Sequence, residues 1–592
     1  MSRKQVSMRE RLHTVDVAVV GGGMAGLCAA VAAARRGCKV VLMQDRPVLG
    51  GNASSEVRMW ICGAHGDNTR ETGILEEILL ENNYRNPTSN FSIWDSVLYE
   101  VARQEPNLTL LLNCSCTAAG MEGPRLAWVK GWQGSAETWH TVRAQVFADC
   151  SGDSILAPLS GAEVRRGREA RSEFNEDIEP EQADARTMGL SCLFQVRETP
   201  APKPFIPPRW ARVYASDADL PNRGHGFTGL SNFWWMELGG EADSIHDTED
   251  LRDELLKVAF GVWDHIKNHG EHGAANWELE WVSFVPGKRE SRRYVGDHIL
   301  TQNDVRAEGR FADVVAYGGW SMDDHHPGGI RWPGQPTLFH PAPSPYGIPY
   351  RCLYSRNVEN LLCAGRNISC THAAMSSTRV MATCALCGQA VGTAASLAVQ
   401  HQTTPRGVGR EHLRELQQAL LDDDCYLPWQ RRALPALSQP AELTASAGDP
   451  EPLRNGVDRP VGGNANAWAG TPGASWVQYR FACPTPVSQV RLVFDSDLNR
   501  KGKGACAQYG EKNCLSNYPL NQPPRTVPET LTRAFRVEAL DDRGQWQCVF
   551  AATDNTQRLV RIPLDVTTGG IRLLPLSTWG AASARLFAFD VR

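Results

Sequence analysis

The sequence predicts an α/β chain: a two-dinucleotide-fold core, an inserted α+β substrate or cap domain, and a C-terminal antiparallel β-sandwich. Three observations carry this. A glycine-rich turn at 21–26 joins a short apolar strand to an Ala-rich helix. A second strand, turn and small-residue helix returns at 360–396. Near residue 435 the pattern changes to short alternating strands parted by Gly, Pro and Asn, the signature of an antiparallel sandwich.

The chain has 592 residues, which implies about three or four structural units. Val15–Val20 reads as a buried parallel strand, 25–36 as a helix stopped by Gly37, and Lys39–Met43 as the next strand; this is a βαβ unit. Residues 70–105 read as helical and 108–148 as strands. The stretch 190–350 holds eight tryptophans and many prolines and reads as a cap. A helical connector (410–423) precedes alternating strands such as 476–481 and 489–494. The boundaries drawn are 1–190 and 351–434 for the two parts of the core, 191–350 for the cap, and 435–592 for the sandwich.

Composition excludes some partners. With 42% apolar residues, 21% charged residues and a net charge of −5, the chain offers no footprint for nucleic acid or anionic membrane. No apolar run reads as a membrane span, and the N-terminus lacks an apolar signal core. The 17 cysteines are odd in number and many lie in Ala-rich stretches (Cys28, Cys38, Cys363, Cys384, Cys387). A reduced, cytoplasmic enzyme is expected.

The turn Gly21-x-Gly23-x-x-Gly26 has the context a dinucleotide site needs. Gly21 permits the turn, Gly23 lets a pyrophosphate reach the backbone, and Gly26 allows close packing; Met24 and Ala25 open the helix whose free N–H groups face the phosphates. The strand end that usually carries a ribose-binding carboxylate reads Gln44, with Asp45 and Arg46 next; either Gln44 or Asp45 takes that role. FAD rather than NAD is indicated by three further segments. Gly50, Gly51, Asn52 and Ser55 follow the second strand; Asp149, Gly152 and Asp153 end another; Gly365 and Arg366 end a third and lead to Thr378, Arg379 and the small-residue helix. The N-terminus of that helix suits the pyrimidine edge of a flavin.

On these residues the chain resembles the FAD-dependent oxidoreductases whose flavin domain is related to fumarate reductase and succinate dehydrogenase. The carrying segments are GGGMAG (21–26), QDRPVLGGNASSEVRMWICGAHG (44–66), DCSGDS (149–154), PGKRESRRYVGDH (286–298) and 364–395. The resemblance implies bound FAD and covers about two-thirds of the chain. The tail is similar to galactose-binding, discoidin-type sandwiches, in which carbohydrate binding is common.

A flavin carries the hydride chemistry, so the protein must supply an acid–base group and a substrate clamp. His372 is the expected proton carrier; its structural alternative is a bond to a loop carbonyl. Arg366 and Arg379 flank the same turn and would hold an oxyanion, the flavin, or a structural ion pair. Arg289 and Arg292, in a basic cluster interrupted by Glu290, are further contacts against the alternative of a solvated face. The run Asp323-Asp324-His325-His326 offers an acid–imidazole pair, assigned to His326; adjacent histidines do not face one metal, and no metal site is expected. His65 is not expected to bond FAD covalently. Cys384-x-x-Cys387 reads as helix packing. The tryptophans either stack on sugar rings or fill a core.

The function expected is hydride transfer between flavin N5 and a small polar substrate, with a carbohydrate-derived compound first and an unidentified electron acceptor. Its rivals are a fumarate-reductase-like reduction of an activated double bond and a glycan-binding protein with structural FAD. Residues 1–430 are expected to bind FAD alone.

Overall fold

The computed structural model describes residues 8–227, 231–502 and 511–592. They form two compact units that do not follow chain order. The first comprises Met1–His65, Ser89–Leu416 and Lys501–Pro523; the second comprises Gly66–Thr88, Gln417–Arg500 and Pro524–Arg592.

In the first unit the short apolar runs become a parallel sheet. Val17–Val20 (β1) leads through the glycine turn into helix Met24–Arg35 (α1), and then come Val40–Met43 (β2), Leu108–Leu111 (β3) and Val146–Asp149 (β4). The chain leaves the sheet for helix Thr248–Asn268 (α2) and strand Met322–His325 (β5). It returns as Leu361–Cys363 (β6), His372–Thr378 (α3) and Met381–Gln400 (α4). The strand order is β6-β4-β1-β2-β3, parallel throughout. Buried on both faces, such strands must be apolar on both, and β1 and β2 are buried at every position.

Alternation divides these faces. Ala18, Val20, Val41, Met43 and Phe147 share a core with Leu126, Val129 and Val142 of a four-stranded sheet built from Arg9–Thr14, Cys114–Glu122, Arg125–Gln133 and Thr138–Arg143. α1 and α4 pack together, and glycine makes this possible. A Cβ at Gly388 or Gly392 would sit 2.0 or 2.1 Å from the carbonyl oxygens of Ala25 and Ala29. α4 is also long and apolar enough to cross a membrane, which the reading of the sequence missed. Within the protein 94% of its apolar window is buried, so it is a core helix here.

The cap of the first unit has its own core around α2, with Phe194, Phe233, Trp235, Trp263 and Trp277. Four of the eight tryptophans, Trp234, Trp235, Trp263 and Trp277, therefore fill a core, the second of the two roles open to them; Trp210 and Trp332 are the exposed ones. Lys501–Pro523, assigned to the sandwich from sequence, packs in this unit. Asn513 accepts from the Ile61 N–H at 2.8 Å, and the Asn517 side chain accepts from the Val196 N–H at 3.1 Å.

The second unit is a seven-stranded antiparallel sheet. Its long strands Val477–Phe494 and Leu559–Thr578 pair with register breaks, which let one sheet bend around a single apolar core of Trp468, Tyr479, Leu492, Phe535 and Phe589. Helix Ile74–Arg85, assigned from sequence to the flavin core, belongs here. Its buried Glu76 takes both Arg500 amines (2.8 and 2.7 Å) and the Ser496 hydroxyl (2.6 Å). The pairing holds the Glu76 carboxyl below its ordinary pKa, although burial opposes it.

Candidate flavin site

The site begins at the first glycine turn. Gly21 takes φ +99°, and a Cβ at Gly26 would lie 1.8 Å from the Gly21 carbonyl oxygen, so Gly26 admits no side chain. Gly23 caps α1 without any side-chain hydrogen bond, and no acidic residue occupies the first turn. The N–H groups of Met24, Ala25 and Gly26 therefore meet no acidic side chain, the arrangement that binds phosphate. Gly50 and Gly51 face this turn: the Gly50 N–H donates to the Gly22 carbonyl at 2.8 Å, and Gly51 Cα lies 4.0 Å from where a Gly23 Cβ would stand.

Gln44 is engaged by the turn itself. It is 4% exposed, its Oε1 accepts from the Gly22 N–H at 2.6 Å, and its amide donates to the Val48 carbonyl. Both ends are spent on the turn. Asp45 remains as the carboxylate at the strand end, exposed and 3.7 Å from Arg46. Asp149 is likewise engaged. Its two oxygens accept from the Ser151 N–H and hydroxyl, the Leu156 N–H and the Tyr294 hydroxyl, so it anchors the β4 turn and has no acceptor left for a cofactor. Ser55 gives its N–H to Asp95, and Asn52 donates to the Lys288 carbonyl.

Asp153 joins three of the motif segments. It accepts from Lys288 (2.8 Å), Ser291 (2.8 Å) and Arg366 (2.5 Å). Arg366 lies against Gly152, and Gly365, at φ +118°, lies over Ala25 of α1. Around the start of α4, Ala382 N–H donates to the Cys62 carbonyl and Ser377 donates to the Trp320 carbonyl. His65 stacks on Trp320 at 4.3 Å; burial and Lys512 hold its pKa down. Several buried polar atoms in these segments make no hydrogen bond: Arg366 Nε, Arg379 Nε, Trp320 Nε1, Thr383 Oγ1 and Asn367 Oδ1. Four of the five are donors, the complement of an acceptor-rich guest such as a flavin dinucleotide.

Two chains of charge run behind this surface, and the pleat of β5 separates them. Asp323 and His325 point to one side and Asp324 to the other, as strand alternation requires. On the first side, Arg379 donates to Asp323 (3.1 Å), Asp323 faces His325 (3.4 Å), His325 pairs with Glu237 (2.7 Å) and Glu237 faces Arg289 (3.4 Å). Burial raises the Asp323 carboxyl, but His325 and Arg379 overcome this and hold it well below the usual range. Arg289 donates to Ser191 Oγ and to the Gly189 and Trp234 carbonyls; it is a structural member rather than a free clamp.

On the second side, His372 is 1% exposed. Its Nδ1 lies 2.9 Å from Glu290 and its Nε2 lies 3.2 Å from Asp324. Burial draws an imidazole pKa down; here Glu290 and Asp324, one at each ring nitrogen, reverse this and raise it well above 6.5, which favours the charged ring. Arg293 continues the chain to Glu290 and to Glu169 at 2.8 Å. Nearby Glu179 accepts from the Ala373 N–H at 2.8 Å, and burial pushes its carboxyl up to about 7.

Neither His326 nor Arg292 joins these chains. His326 stacks on Trp332 at 4.1 Å, with its pKa lowered by burial and Arg168. The partner of the acid is His325, two residues from Asp323 on one strand face, a spacing that the run Asp323–His326 displays. Glu237, Glu169 and Glu179 were missed; they carry no local motif. Thr378 closes α3, where its hydroxyl meets the Cys370 thiol at 3.9 Å. Cys384 and Cys387 are buried in α4, and burial pushes Cys384 up to about 12 and Cys387 well above its ordinary value, which suits packing.

A parallel sheet with an uncapped helix at its first glycine turn, met by a second glycine turn and by unspent buried donors, fits a flavin-dinucleotide-binding protein. The chain belongs to the FAD dependent oxidoreductase family, whose model matches residues 16–420. It is 49% identical over 53 residues to the fumarate reductase (cytochrome) of Shewanella frigidimarina, a match covering 9% of each protein; the chain thus spans less than a tenth of that relative. Among solved structures it is similar to a geranylgeranyl bacteriochlorophyll reductase-like protein from Thermoplasma acidophilum (14% identity, TM-score 0.34, 70% of this chain and 86% of that one). It is also similar to a family 32 carbohydrate-binding module of Streptococcus pneumoniae EndoD (14% identity, TM-score 0.19, 27% of this chain and 97% of that one).

Proposed function

We propose that this FAD-dependent oxidoreductase reduces a small polar substrate, with His372 as the source of the proton. The observation that carries the proposal is the setting of His372: each ring nitrogen faces a carboxylate, Glu290 or Asp324, which favours the charged, proton-donating ring. Bound FAD supplies hydride chemistry at N5. Gly21, Gly23, Gly26, Gly50 and Gly51 would hold its pyrophosphate, Asp45 its ribose, and Arg366 and Arg379 its acceptor edge or a substrate oxygen. Asp324, less buried than the imidazole, is the end of the chain through which His372 regains its proton. With half of the eight tryptophans in the cap core, ring stacking gives little reason to favour a sugar over another small polar molecule.

Anaerobic mixing tests this. Photoreduced enzyme is mixed with keto sugars, keto acids and unsaturated acids, and oxidised enzyme with sugars and uronic acids. The first set is expected to reoxidise the flavin, at a rate level from pH 6 to 8, and His372→Ala to slow it by about 10²–10⁴-fold with unchanged FAD content. Bleaching by the second set alone, or a variant within a few-fold of wild type, overturns the proposal.

A further inference from the structure

Far from any glycine turn in sequence, the cap gathers three histidines and an aspartate. Asp217 opens a short turn, His225 follows in the next loop, His265 lies in the last turn of α2, and His272 follows that helix. The spacings of 8, 40 and 7 residues match no short ligand motif, which is why the sequence suggested no metal. In the fold one ligand atom from each lies within 4.8 Å of all the others.

We propose that Asp217, His225, His265 and His272 form a tetrahedral zinc site. At zinc–ligand distances near 2.0–2.1 Å, tetrahedral ligand atoms stand about 3.3 Å apart. Asp217 Oδ1 lies 3.0 Å from His265 Nε2, 3.4 Å from His272 Nε2 and 3.7 Å from His225 Nδ1, which brackets that value. The three imidazole centroids are 4.7 to 5.0 Å apart.

The tautomer supports a cation. His265 Nδ1 lies 2.9 Å from the Tyr214 carbonyl, which can only accept, so the Nδ1 hydrogen is fixed there. Its Nε2, which faces the Asp217 carboxylate oxygen at 3.0 Å, is then the nitrogen left to bind a metal. A backbone carbonyl on the far nitrogen is the usual support of a metal-bound histidine. One divalent ion would serve all four groups. His272 Nε2 is buried and makes no hydrogen bond. A Cβ at Gly270 would lie 2.3 Å from His272 Nε2, so the missing side chain there lets the ring fold back to the site. The Asp217 side chain, 69% exposed, leaves an entry path.

Three nitrogens and one oxygen suit zinc, and four protein ligands leave no open position, so the site is structural. It ties the 217–225 loop to the end of α2. The test uses untagged, FAD-loaded full-length protein, with metal measured by plasma mass spectrometry and the site then refilled with cobalt. The expected result is about one zinc per chain, tetrahedral cobalt bands, and melting lowered by a chelator. Asp217→Asn and His272→Ala, both outside the core of α2, are expected to hold less than about a tenth of the wild-type zinc at unchanged FAD content. Wild-type protein with full FAD that contains no zinc and binds cobalt only octahedrally overturns the proposal, as do variants that keep full zinc.

Discussion

Glu179→Gln probes the buried charge around His372 with almost no change of shape. Glu179 is 1% exposed; its Oε1 accepts from the Ala373 N–H, and its Oε2 makes no hydrogen bond. Burial raises its carboxyl from 4.5 to about 7, His372 opposing and Glu169 and Glu176 adding to the rise. A pKa higher in the folded state means the stabilising contribution is complete below pH 4.5 and is lost as the pH rises through 7. Between pH 5 and pH 8 the wild type should lose about 2.5 kcal/mol from this group. The glutamine cannot titrate, so the gap between variant and wild type should move by that amount in the variant's favour. For a unit of roughly four hundred residues this is about 3 °C in melting temperature. Calorimetric melting of both proteins at pH 5, 6, 7 and 8, with saturating FAD, reads it. A gap that is the same at every pH refutes the reasoning.

Gly26→Ala should give FAD-free or insoluble protein, since its Cβ would meet the Gly21 carbonyl oxygen; a soluble variant with full flavin absorbance contradicts the cradle. Residues 1–430 should fail to hold FAD, against the simple expectation from motif positions, because Lys501–Pro523 packs in the first unit; flavin content after gel filtration decides. Asp323→Asn, which removes the charge that faces His325 and Arg379, should cost about 3–5 kcal/mol in denaturant unfolding. Because the Asp323 carboxyl is depressed, that penalty is present above about pH 4 and shrinks as the pH falls below it; a penalty that grows in acid contradicts the pairing.

What could be read from sequence was what is encoded locally. The turn Gly21–Gly26 sits between a strand and a helix within about thirty residues, and the β1, β2 and β4 runs declare burial on both faces. Gly50, Gly365 and Arg366 follow from the same logic. The failures are non-local. Gln44 and Asp149 stand where a ligand contact is usual, but their partners, Gly22 and Tyr294, were visible only in the fold. His325 was passed over for His326 although the two-residue spacing to Asp323 favoured it on a strand. Glu237 and Glu179 lie in no motif, and the three groups around His265 are 7, 40 and 48 residues from it in sequence. The exchange of 66–88 and 501–523 between the compact units left no mark in composition.

The central claim is one FAD held by the two facing glycine turns. It is tested most directly by releasing flavin from the purified full-length protein and counting it against protein. The wild type is expected to carry about one FAD per chain. Almost none is expected for Gly23→Val, whose side chain would fill the space where Gly51 approaches. A folded wild-type protein that is colourless and gains no flavin absorbance when FAD is added would contradict it.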